Sequence, residues 1–207
     1  MDRRDYSQGR FIMGSPNDLI YIKETCPRVD GAILEIGARE NTTGFRTYFS
    51  DKCTEYIGTD LVEGHDVDIV CDLMNFDNPL PKNYFDLVIC CSVMEHVPAP
   101  WILADNISNL VRPGGKLYIC VPWSWRYHPY PEDYYRFSFR AIEYLYPHFN
   151  WERYAYSTEN EGDIKWVEKS AISDRKMVYA LHDDSGRKIK KYLSYLLINM
   201  IGTKNVI

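Results

Sequence analysis

Apolar residues in this chain cluster in short runs separated by turn residues and polar stretches. Residues 32–36, 55–59, 67–70, 85–91 and 116–121 read this way. A brief apolar run between turn residues predicts a strand buried on both faces, as in a parallel sheet. Between the runs lie helix signals. Ser15-Pro16 predicts an N-cap followed by proline in the first turn, with Leu19, Ile20 and Ile22 on the apolar side. Further helices are predicted at about 42–50, at about 101–111 (stopped by Pro113-Gly114-Gly115) and at about 139–146 with Ser138 as cap. Strands alternating with helices predict an α/β fold. Residues 122–137 predict a long loop, Trp151–Ser157 and Lys176–Leu181 two more strands, and 158–173 their connection. Near the end, Ile189, Leu193, Leu196, Leu197, Met200 and Ile201 recur at helical spacing, which predicts an amphipathic helix over 187–207. Such a helix would pack on the domain or on a second copy, giving a homo-oligomer. A membrane-surface role is the weaker reading, because the preceding lysines are few.

Length and composition fit one domain over residues 1–207: a polar arm or lid at 1–15, a core at 16–181 and the C-terminal helix. Hydrophobic content is 45% and charged content 26%, ordinary for a globular protein. The net charge of −5 and the lack of a long basic run argue against nucleic acid as a partner. No run is long enough to span a bilayer, and the first fifteen residues lack a signal-peptide core. Six cysteines, at 26, 53, 71, 90, 91 and 120, form no C-x-x-C pair and no zinc spacing with histidine. They predict reduced thiols and a cytoplasmic setting.

The chemistry starts at Ile33-Leu-Glu-Ile-Gly37, where a buried run delivers Glu35 and breaks at Gly37. The next run, Glu55-Tyr-Ile-Gly-Thr-Asp60, ends in an acid roughly twenty residues on, a distance that suits a ribose diol. A dinucleotide would need further glycines for close approach to its pyrophosphate, yet Arg39 and Thr42 stand at those positions. A nucleoside cofactor without phosphate, carrying an amino-acid tail, fits better.

In these pieces the chain resembles the class I S-adenosylmethionine-dependent methyltransferases, over roughly residues 31–150. Glu35-Ile-Gly37 looks like the first motif, Asp60 like the ribose acid, and Asp72 in Asp68-Ile-Val-Cys-Asp72-Leu73 like the acid that contacts the adenine amino group. Tyr84–Ser92 and Leu110-Val-Arg-Pro-Gly-Gly-Lys-Leu-Tyr-Ile119 look like strand four and the turn into strand five. The first motif departs from the family in carrying Ala38, Arg39 and Glu40 where glycines are usual. The resemblance implies a doubly wound, Rossmann-like methyltransferase fold: a mostly parallel seven-stranded sheet with one antiparallel strand. It implies S-adenosylmethionine as cofactor, held by Glu35, Gly37, Ala38, Arg39, Asp60, Leu61, Asp72, Leu73, Ser92 and His96.

The loop His128-Pro-Tyr130-Pro-Glu-Asp133-Tyr134-Tyr-Arg136 resembles a His-x-x-Pro-x-Asp-Tyr-x-Arg element in one branch of that family. It suggests His128, Asp133 and Tyr134 as catalytic groups, with His128 or Asp133 accepting a hydroxyl proton. Tyr130 and Arg136 are candidate substrate contacts, although Arg136 could instead pair with Asp133. No metal is expected. The activity implied is methyl transfer to a small-molecule acceptor, a sugar or secondary-metabolite oxygen. Its rivals are a noncatalytic S-adenosylmethionine-binding module and a nucleotide-sugar or dinucleotide enzyme.

Overall fold

The computed structural model describes residues 15–40, 43–129, 132–173, 181–182, 188–189 and 195–206. In chain order the elements are α1 (Pro16–Thr25), β1 (Ala32–Ile36), α2 (Phe45–Phe49), β2 (Glu55–Asp60), β3 (Ile69–Val70), β4 (Phe85–Cys91), α3 (Pro100–Leu110), β5 (Val111–Ser124), α4 (Phe139–Leu145), β6 (Phe149–Ser157), β7 (Ile164–Val167), β8 (Leu181–His182), β9 (Lys188–Ile189) and β10 (Leu196–Lys204). Eight strands form one sheet in the order β3-β2-β1-β4-β5-β10-β6-β7. The first five run parallel, and β10 runs against both β5 and β6. β8 and β9 form a separate antiparallel pair.

Both faces of the sheet are covered, as a doubly wound fold requires. On one face Leu34, Ile36, Val88 and Ile119 pack with Leu103 and Ile107 of α3 and Ile142 of α4. On the other, Ile33, Ile89 and Tyr118 pack with Tyr21 and Ile22 of α1 and Phe45 and Phe49 of α2. α1 begins as expected: the Ser15 hydroxyl accepts from the Asn17 amide at 3.2 Å, and Asp18 Oδ2 accepts from the Ser15 amide at 2.8 Å. A reciprocal cap of this kind is worth about 1 kcal/mol. Ser138 caps α4 by accepting from the Ala141 amide at 3.2 Å.

Three expectations are corrected. The sheet has eight strands rather than seven, because 164–167 inside the supposed connection form β7, which runs against β6 at the edge. Two strands therefore oppose the rest, not one. The C-terminal helix is instead β10, an inner strand. Seven of its nine residues are buried, so neither face is solvated, and a run that is apolar except for Asn199 satisfies helical and strand spacing alike. The second copy proposed to sit on that helix loses its docking face. Most of the strand expected at Lys176–Leu181, like the arm at 1–14, lies outside the described residues.

Candidate active site

The cleft lies beyond the carboxyl ends of β1 to β4, where the strand order reverses between β1 and β4. Its volume is about 680 Å³. Gly37, Arg39, Asp60, Leu61, Asp72, Leu73, Ser92, His96 and Tyr134 line it, so nine of the expected site residues converge there. Sequence reasoning missed Ile36, Thr59, Met74, Val93, Val97 and Glu132, which line it too. Most are chain neighbours of motif residues, and that adjacency was their one visible signal.

Local geometry explains the floor. Gly37 turns the chain out of β1 with φ of 80°, a left-handed conformation that favours glycine, while its amide donates to the Thr59 carbonyl at 2.9 Å. Ala38–Glu40 then form a single tight turn, and the Arg39 amide donates to Asp60 Oδ2 at 3.3 Å. The Val62 amide donates to Asp60 Oδ1, also at 3.3 Å. Both bonds are long, so the carboxylate is oriented yet keeps acceptor capacity for a diol. The Asp72 carboxylate caps its own turn by accepting from the Met74 amide at 2.8 Å, and Asn106 of α3 pins the next carbonyl, that of Leu73, at 2.7 Å. Ser92 holds a positive φ of 54°, with its amide bonded to the Cys120 carbonyl at 2.8 Å. Such a conformation costs a non-glycine residue about 1 kcal/mol.

Glu35 is not on the cleft wall. It is 3% exposed and accepts a 2.5 Å hydrogen bond from the Tyr56 hydroxyl. Successive side chains of a strand point to opposite faces, so Ile36 faces the cleft and Glu35 faces away. Burial pushes its carboxyl up to about 7, against the pull of the Tyr56 hydrogen bond. Ala38 is fully buried as well, packed toward Gly58, where a Cβ would meet the Asp66 carbonyl at 2.0 Å.

The loop after β5 forms the roof. Tyr134 and Glu132 reach the cleft, and the Tyr134 amide donates to the Glu95 carbonyl at 2.8 Å. His128, Asp133 and Arg136 lie behind this wall and do not line the cleft. Asp133 takes both Arg136 terminal nitrogens, at 2.5 and 2.7 Å, and the His128 amide at 2.8 Å. Burial would raise its carboxyl, but the bonds from Arg136 and the His128 amide, with the charge of Arg136, hold it down at about 2. Asp133 is thus a poor proton acceptor at neutral pH, contrary to its expected role. Arg136 spends its remaining donors on the Trp125, Arg126 and Tyr135 carbonyls, which staples the loop and leaves no fork for a substrate. The His128 ring stacks on Trp125 with centroids 4.0 Å apart and meets His96 edge-on at 5.0 Å. Tyr130 lies outside the described residues.

Beside His128, the Glu95 side chain is fully buried, and burial pushes its carboxyl up to about 8. Arg136 and its own amide pull that carboxyl down, while Asp133 and Asp18 push it further up. Burial lowers His96 below the usual imidazole range, and the neighbouring His128 adds to this. The fold thereby gathers a His/Glu cluster that sequence spacing did not reveal.

Comparison with known proteins agrees with this geometry. Residues 34–119 match the family described as a methyltransferase domain, a stretch that spans β1 to β5 and carries most of the cleft. Over that stretch, less than half of the chain, the sequence is similar to methyltransferase domains, and the solved structures that follow share its α/β, Rossmann-like fold. Among solved structures, the YcgJ protein of Bacillus subtilis superposes with a TM-score of 0.61 at 14% identity, covering 92% of this chain and 99% of that one. A 1,6-didemethyltoxoflavin-N1-methyltransferase from Burkholderia thailandensis, solved with bound 1,6-didemethyltoxoflavin and S-adenosylhomocysteine, gives 0.58 at 16% identity over 92% of this chain and 77% of that one. The N-methyltransferase NodS of Bradyrhizobium japonicum, in complex with S-adenosylhomocysteine, gives 0.55 at 13% identity over 91% and 85%. No curated protein matches the sequence. Among the described residues no helix is long and apolar enough to cross a membrane.

Proposed function

We propose that this methyltransferase transfers the methyl group of S-adenosylmethionine to a small polar acceptor, a sugar or secondary-metabolite oxygen, held under the roof formed by His96, Glu132 and Tyr134. The observation that carries this reading is the cleft itself. Asp60 and Asp72 stand on its floor beside the Gly37 turn, and apolar side chains complete the walls. Asp60 would accept from the ribose hydroxyls and Asp72 from the adenine amino group, with the ring between Leu61 and Leu73. Arg39 occupies the approach a pyrophosphate would need, which disfavours a dinucleotide.

When bound, S-adenosylmethionine supplies a methyl carbon already activated by its sulfonium. The residues then have to orient the acceptor in line and keep water out. Tyr134 is suited to the first task, since it lines the cleft and its backbone is tied to Glu95. His128 and Asp133 act at one remove, by holding the loop that carries Tyr134.

The test is turnover on a panel of hydroxylated and aminated small molecules, read by product mass. An oxygen-methylated product, with kcat for Tyr134→Phe lowered on the order of tenfold, is the expected result. Methylation confined to nitrogen acceptors would overturn the oxygen assignment, and no turnover on any acceptor would favour a noncatalytic binding module.

A further inference from the structure

Behind the roof of the cleft three side chains converge from two separate segments. Glu95 and His96 belong to the short turn after β4, and His128 to the loop after β5. One potential ligand atom from each lies within 4.8 Å of the others. Both rings have a committed Nδ1. That of His96 lies 2.6 Å from the Glu132 carbonyl; that of His128 lies 3.0 Å from the Arg126 carbonyl and 3.0 Å from Asp133 Oδ2. Carbonyls and an ionised carboxylate only accept, and the one donor near either nitrogen, Arg136 Nη2 at 3.5 Å from His128 Nδ1, is farther away than these acceptors, so each Nδ1 is assigned the proton and each Nε2 a lone pair. His96 Nε2 stands 3.9 Å from Glu95 Oε1. His128 Nε2 and both Glu95 carboxylate oxygens are buried with no hydrogen-bond partner among the described residues.

The cluster therefore brings two imidazole acceptors and a carboxyl group together with no other donor among the described residues. An ionised, unpaired carboxylate is costly to bury, so Glu95 either holds a proton or is met by a cation. Arg136 acts on Glu95 only through its charge, because its guanidinium hydrogen-bonds to Asp133 and three carbonyls and not to Glu95.

We propose that Glu95, His96 and His128 bind a divalent first-row transition-metal ion, zinc foremost, which ties the turn after β4 to the loop after β5. Two imidazoles and one carboxylate are a donor set such ions take, whereas calcium and magnesium take oxygen. Histidine ligands whose other nitrogen donates to a carbonyl or carboxylate have the supporting shell common to metal sites. Metal–ligand bonds of about 2.0–2.2 Å place neighbouring ligand atoms about 3.3–3.5 Å apart, so the present separations need to close by about an ångström. The ion would fix the wall from which His96 and Tyr134 face the cleft. The inference rests on the cluster alone and does not depend on the identity of the acceptor.

The experiment uses the full, untagged chain, stripped with chelator and titrated with cobalt(II) chloride. Visible ligand-field absorption should saturate at one cobalt per chain without a near-ultraviolet thiolate-to-cobalt band. Zinc chloride should bleach that absorption, and either ion should raise the thermal midpoint. Glu95→Gln and His128→Ala should each weaken cobalt binding at least tenfold, while His65→Ala, at an exposed site, should not. A saturable thiolate band would assign the ion to cysteines and overturn the proposal. So would Glu95→Gln binding cobalt as tightly as the parent. If Glu95 merely shares a proton with an imidazole, the unsubstituted chain will show neither absorption nor a shifted midpoint, and that titration decides the matter even if the variants fail to fold.

Discussion

Asp60 and Glu35 both sit at the carboxyl ends of adjacent parallel strands, and the strand pleat gives them opposite fates. Asp60 closes β2 on the cleft floor, with its oxygens loosely held by the Arg39 and Val62 amides. Glu35 turns to the other face, beneath Tyr56. A carboxyl whose folded-state pKa is raised costs stability once pH exceeds its unfolded value near 4.5, and the cost stops growing above about 7. Glu35→Gln, which keeps an acceptor for Tyr56, should therefore raise the free energy of unfolding near pH 8, by on the order of 3 kcal/mol at most, and change it little near pH 4. Urea unfolding at the two pH values checks this; an equal effect at both would contradict it. The acids at the strand ends were legible in the sequence because each follows an apolar run. Which of them faces the ligand was not, because one residue of register reverses the direction of a side chain.

β10 and the loop after β5 show where element-level reading succeeds and fails. The apolar run at 196–201 was visible, but its periodicity was ambiguous, and only pairing with β5 and β6 makes it a strand. The decisive side chain is polar. Asn199 is fully buried, accepts from the Tyr118 hydroxyl at 2.8 Å and donates to the Ser157 hydroxyl at 2.8 Å. Asn199→Ala strands both partners inside the sheet and should cost about 2–3 kcal/mol in chemical denaturation; a loss below about 0.5 kcal/mol would contradict this account of the strand. The loop was recognised as functional from its His, Asp, Tyr and Arg residues, yet three of those four serve the loop itself. Arg136→Ala should release it, raising the acceptor KM while leaving S-adenosylmethionine affinity within about twofold, and isothermal titration beside steady-state kinetics separates the two effects.

Across the molecule, the α/β class and the position of the cleft followed from alternating elements and from acids at strand ends, because topology confines ligands to one edge of such a sheet. The buried charges were not legible, since burial of Glu35 and Glu95 depends on distant elements packing over them. They give the chain a pH signature. From about pH 8 down to about pH 6.5, Glu95 and Glu35 take up protons in the folded state while their unfolded counterparts stay ionised. The thermal midpoint of the chelator-treated protein should rise over that interval, and a fall would contradict the assignment. Below it, His96, with its lowered pKa, opposes the gain. The central claim is that Asp60 and its neighbours on the cleft floor hold an adenosyl sulfonium, and isothermal titration with S-adenosylmethionine tests it most directly. Saturable one-to-one binding, weakened at least tenfold (about 1.4 kcal/mol) by Asp60→Ala, is the result expected. Unchanged affinity in Asp60→Ala, or no binding by the unsubstituted chain, would contradict it.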